Sequence, residues 1–120
     1  DQQPTIFATK KIVMQQKSLG KLSLYIDLHA HALRKGWFMF GNALPLASQQ
    51  VENMCLPRLI SLNSIDFDFN QWSFAEGNMN VKDKTSGLSR DGCGRVAVWK
   101  TTGIPNSYTL ECHYSIGMGK

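Results

Sequence analysis

The pattern of apolar and polar positions predicts a chain of short elements that opens with a helix. Pro4 suits a first turn, and Ile6, Phe7, Val13 and Met14 form two i, i+7 pairs on one stripe running to about Lys17. Ser18 to Gly20 ends it. Leu22 to Leu28 (LSLYIDL) is almost wholly apolar, the signature of a strand covered on both faces. Trp37 to Phe40 (WFMF) reads as a second buried strand, closed by Gly41-Asn42. Ser48 then caps a helix carrying Val51, Met54, Cys55, Leu59 and Leu62 at helical spacing, and Pro57 within it predicts a kink or two shorter helices. Phe67, Phe69, Trp72 and Phe74 alternate loosely before a polar, glycine-bearing loop, Lys82 to Gly94. Arg95 to Trp99 (RVAVW) and Ser107 to Cys112 are predicted strands, joined by a turn at Thr102-Gly103-Ile104-Pro105. A helix leading into buried strands indicates an α/β fold.

Composition narrows this picture in three ways. A net charge of +4 suits an acidic partner, yet no run of five or six like charges marks a nucleic-acid arm. The aromatic residues sit in apolar runs rather than among Lys and Arg, which further disfavours nucleic acid. Three cysteines without a CxxC pair argue against a disulfide framework and for reduced thiols in a cytosolic protein. No apolar stretch approaches the length of a membrane span, and the first residues lack the pattern of a signal peptide. A chain of 120 residues is one domain or a piece of a larger one, and its start at Asp1 without Met predicts a beginning inside a longer protein.

The candidate chemistry concentrates in YIDLHAHALRK, Tyr25 to Lys35. His29 and His31 sit where a strand gives way to a loop, a position from which imidazoles hold metals or pass protons. They read equally as a polar pair at a strand end. Asp27 is placed to orient an imidazole, or is a satisfied polar group at a sheet edge. Glu111 ends the run NSYTLE, as a general base beside a metal or as a solvated carboxylate. Arg95 follows the glycine-bearing DGCG, and its fork clamps a substrate carboxylate or faces solvent. Cys112 has only its neighbour His113 as a base, a weak case for a thiol nucleophile. With His29, His31 and His113 alone, and no HxxE or HExxH, the chain cannot complete a catalytic zinc site.

Taken together, YIDLHAHALRKGWFMFGN, LPRLISLN, GRVAVWK and GIPNSYTLE resemble the zinc carboxypeptidase superfamily, and within it the cytosolic carboxypeptidases, the tubulin deglutamylases. The similarity covers nearly the whole chain in matching order. It implies an α/β/α sandwich around a mixed, largely parallel sheet, with residues 1–120 forming the C-terminal half of a metallocarboxypeptidase catalytic domain. The family's third zinc ligand matches His29 and its catalytic glutamate matches Glu111. His31 falls near the substrate. Arg95, with Lys100 second, is the candidate for the basic residue that selects acidic side chains.

The resemblance further implies Zn2+ as cofactor and a mechanism in which Glu111 takes a proton from a zinc-activated water and passes it to the leaving amine. Glutamates at chain ends or branch points of polyglutamylated tubulin, or other acidic tails, would be the substrates. The HxxE ligands and the terminal-carboxylate arginines belong upstream, so the rest of the same catalytic domain is itself an expected partner. Neither nucleic acid nor membrane is expected. The implied location is cytoplasmic, with microtubules and the nucleus as further possibilities. Two alternatives stand beside this reading: a pseudoenzyme that grasps acidic tails without cleavage, and a fragment inactive on its own.

Overall fold

A computed structural model describes residues 3–71, 73–74, 79, 93–115 and 117. In chain order it contains α1 (Pro4–Ser18), β1 (Tyr25–His31), β2 (Trp37–Phe40), α2 (Ala47–Asn63), a 3-10 turn (Phe69–Gln71), α3 (Gly94–Thr102) and β3 (Ser107–His113). Trp72 and the loop positions 82–92 lie outside the described residues.

The sheet has the order β1-β3-β2, with β3 in the middle. β1 runs parallel to β3 from Tyr25↔Ser107 to His31↔His113. β2 runs antiparallel, from Trp37↔Cys112 to Phe40↔Thr109. Helices and a small mixed sheet make this an α/β structure. Alternation along the strands sends Ile26, Met39, Tyr108 and Leu110 to one face, where Leu56 and Ile60 of α2 and Phe67 complete the core. Met39, Phe67 and Tyr108 are its buried centre, each contributing about 1.5–3 kcal/mol by leaving water. The opposite face meets α3: the Ser107 hydroxyl donates to the Arg95 carbonyl at 2.8 Å, and Asn42 Nδ2 donates to the same oxygen at 3.2 Å.

Three expectations are corrected. The first strand lies at 25–31 rather than 22–28. Its ladder begins where Tyr25 N donates to Asn106 O, just after the turn in which Ser107 N donates to Pro105 O. At its other end the histidines stay in the strand, since β3 continues beside them. Nor is β1 covered on both faces, for Leu28 is 73% exposed.

The second correction concerns α2, which begins at Ala47 with Leu46 rather than Ser48 at its cap and runs unbroken through Pro57. Proline leaves the carbonyl four residues back, that of Asn53, without its helical donor. The Tyr108 hydroxyl supplies one at 2.8 Å. The inward residues are Asn53, Leu56, Pro57 and Ile60, whereas Val51, Cys55, Leu59 and Leu62 of the expected stripe face outward.

Third, RVAVW is a helix. A strand at 95–99 joined to β3 by a short turn would have to pair beside β3, and both edges of β3 are already taken. Gly103, at φ 72°, closes α3 in the left-handed conformation that glycine adopts freely, and its N–H donates to Trp99 O at 2.7 Å.

Candidate functional site

The face of the sheet toward α3 collects the ionisable residues. β1 contributes Asp27, His29 and His31, and β3 contributes Thr109, Glu111 and His113. β2 adds the rings of Phe38 and Phe40 beside them, because Phe38 is registered with Glu111 and Phe40 with Thr109. His29 stands directly across from Glu111 in the parallel ladder. Its Nδ1 is 3.7 Å from Glu111 Oε1, close enough for an ion pair but too long for a hydrogen bond. Its Nε2 is 3.0 Å from Asp27 Oδ2. One imidazole is thus flanked by two carboxylates, one on each nitrogen.

Exposure separates the three. The His29 side chain is 48% exposed, while that of Glu111 is 17% exposed. Asp27 is backed by Gly94 at the start of α3, where a Cβ would lie 2.9 Å from Asp27 Oδ2 and 2.5 Å from the Tyr25 hydroxyl. The close approach of α3 to β1 therefore needs a glycine there. Burial, then the charge of Asp27 and that of Cys93, pushes the Tyr25 hydroxyl up.

His31 is within the same face but does a different job. Its Nδ1 accepts the Leu33 N–H at 2.9 Å, so the neutral ring carries its proton on Nε2. That Nε2 is buried with no hydrogen-bond partner among the described residues, and the ring meets Phe38 edge-on at 5.2 Å. Arg95, 4% exposed, lies beneath the site. Its Nε donates to Gly41 O at 3.1 Å, its Nη1 to Thr109 Oγ1 at 3.3 Å, and its guanidinium sits 5.6 Å from the centre of Phe40. A buried cation needs such acceptors. Lys100 occupies the last turn of α3, the end leading into the start of β3 rather than toward Glu111. Cys112 alternates to the other face. Burial, then Glu111, pushes its thiol up, opposite to the activation of a nucleophile.

The sequence reading missed Asn42, Thr109, Phe38 and Phe40, which shape the surroundings of Arg95 and Glu111. Gly41-Asn42 after an aromatic run was their one visible signal.

Among the described residues no group of three His, Cys, Asp or Glu is placed to hold a metal ion. His29 nevertheless fits the role of a single zinc ligand. Asp27 holds Nε2, as carboxylates hold the second nitrogen of metal-binding histidines, and Nδ1 is left facing Glu111. Further donors would have to come from elsewhere in the protein.

No family model matches the sequence. Among curated proteins it is 52% identical over 96 residues to cytosolic carboxypeptidase-like protein 5 of Rattus norvegicus, covering 80% of this chain and 12% of the relative. The Homo sapiens protein of that name matches at the same identity over 11% of its length. Cytosolic carboxypeptidase 3 of Bos taurus is 27% identical over 113 residues, or 92% of this chain and 10% of the relative. The chain spans little more than a tenth of the length of these relatives.

Proposed function

Through a segment of 96 residues this chain belongs to the cytosolic carboxypeptidase family, and we propose that the protein containing it is a zinc metallocarboxypeptidase that removes glutamates from acidic protein tails. The observation that carries this reading is His29 set across the ladder from Glu111, with Asp27 on its far nitrogen.

In this proposal His29 Nδ1 is one ligand of the zinc, which supplies Lewis acidity, polarising a carbonyl and lowering the pKa of a water. Glu111, largely shielded from solvent, accepts a proton at Oε1 and delivers it to the leaving amine. Asp27 keeps the imidazole oriented. Arg95 and His31 are the proposed substrate contacts, and Lys100, at the end of α3 away from Glu111, is set aside. Arg95 supports a preference for acidic side chains through its buried positive charge beside Thr109. Polyglutamylated tubulin is the proposed substrate class. The cytosol is the proposed location, in keeping with the relatives' names. No helix among the described residues is long and apolar enough to cross a membrane.

The test is zinc-dependent release of glutamate from a polyglutamate-tailed tubulin peptide by the full-length protein. Glu111→Gln should lower turnover by about 10²–10⁴-fold while zinc stays bound. Release that survives this substitution would overturn the role of Glu111. Absence of release from a folded, zinc-loaded protein would instead favour a binding protein for acidic tails.

A further inference from the structure

The connection between β1 and β2, residues 32–36, crosses the C-terminal end of β3, because β3 lies between the strands that it joins. It is fastened there. His113 N donates to Gly36 O at 2.9 Å, Tyr114 N to His31 O at 3.3 Å, and Leu33 N to His31 Nδ1 at 2.9 Å. Gly36, at φ 70°, makes the turn back into β2.

This tied loop carries two exposed cations, Arg34 and Lys35. Of the two, Arg34 has an aromatic platform. Its guanidinium lies 5.0 Å from the centre of the Phe38 ring, and Phe38 is the residue registered with Glu111. His31 meets the same ring from the side at 5.2 Å, which fixes the platform. Arg34 therefore stands on the Glu111 side of the sheet. Among the described residues no carboxylate lies within ion-pairing distance of it. The next ring along, Phe40, touches Phe38 edge-on at 5.4 Å and carries the Arg95 guanidinium. Two cations thus sit on two adjoining rings, Arg95 buried and Arg34 open to solvent.

We propose that Arg34 is a specificity-determining residue that binds an acidic side chain of the peptide lying over this end of the sheet. The inference rests on the carboxypeptidase reading for the direction of the peptide, but not for its charge. A guanidinium held over a ring loses less freedom on binding than a free side chain, and its fork matches a carboxylate with two parallel hydrogen bonds. The released residue goes deeper, toward Arg95, and Arg34 meets a preceding acidic residue. The occupant is an acidic peptide segment, consistent with the chain's net charge of +4.

The deciding experiment is fluorescence-anisotropy titration of a labelled hexaglutamate peptide against the full-length protein. Arg34→Gln should weaken binding about tenfold with an unchanged circular dichroism spectrum. Arg34→Lys, which keeps the charge but loses the guanidinium fork, should recover only part of that loss. Binding of Arg34→Gln within about twofold of the unmodified protein would overturn the proposal. So would full recovery in Arg34→Lys, since a general positive charge would then suffice. Glutamate release, measured separately on the unmodified protein, tests the enzymatic reading, and its failure would leave the Arg34 result to be judged by binding alone.

Discussion

His29 is flanked by two carboxylates that do different work. Glu111 faces Nδ1, where chemistry would take place, and Asp27 holds Nε2, where orientation is set. Asp27→Asn preserves shape but removes the charge that fixes the ring, and an outer-shell partner of this kind is worth about 10–100-fold in metal affinity. The full-length Asp27→Asn protein should therefore surrender zinc to a competing chelator at correspondingly lower chelator concentration. Equal retention would show that His29 needs no such support. Each of the three residues was visible in the sequence as a type. The spacing suggests Asp27 beside His29 and the resemblance implies His29 and Glu111 in one site, but the register that sets His29 directly against Glu111 is encoded by no local pattern.

Among the elements, α2 shows how a tertiary contact overrides a local rule. Pro57 predicts a break, yet the helix continues because the Tyr108 hydroxyl divides its proton between Asn53 O and Asn106 Oδ1, each 2.8 Å away. Tyr108→Phe would leave the Asn53 carbonyl buried without a donor and should cost the full-length protein about 1–3 kcal/mol in denaturant unfolding. No measurable loss would mean that another group already serves that oxygen.

Burial, then Glu52 and Cys55, pushes the Tyr108 hydroxyl well above its ordinary pKa of about 10, against a smaller opposing effect of the Asn53 side-chain amide. The folded state thus holds this proton more tightly than the unfolded state. Its contribution is fully present below about pH 10 and is lost as pH rises toward the higher folded value. Stability should fall more steeply above that pH in the unmodified protein than in Tyr108→Phe. The α3 segment teaches the same lesson from the other side. RVAVW has the β-branched content of a strand, but occupied sheet edges and the left-handed Gly103 make it a helix. α1, β2 and β3 were legible nearly to their ends, because short-range periodicity decides them.

At the scale of the whole molecule the sheet is open on one side. Among the described residues nothing pairs with the outer edge of β1, and Leu28 faces solvent there. Ile6 and Ile12 on α1, Val51, Leu59 and Leu62 on α2, and Ile65 after it are exposed as well. α1 itself buries no residue, and a cavity of about 520 Å³ separates it from α3 and the start of β1. Apolar surface on this scale, beside an unpaired strand edge, drives association unless something covers it. The relatives are roughly nine times longer than the segment that they share with this chain, so ample protein exists in them to provide such cover. The 120 residues expressed alone should bind a hydrophobic dye strongly and sediment as concentration-dependent oligomers, while the full-length protein should do neither. A monodisperse, dye-silent 120-residue chain would mean that these faces are stable in water by themselves. The incomplete donor set around His29 would then need a separate explanation from the uncovered surface, because a single covering segment could no longer account for both.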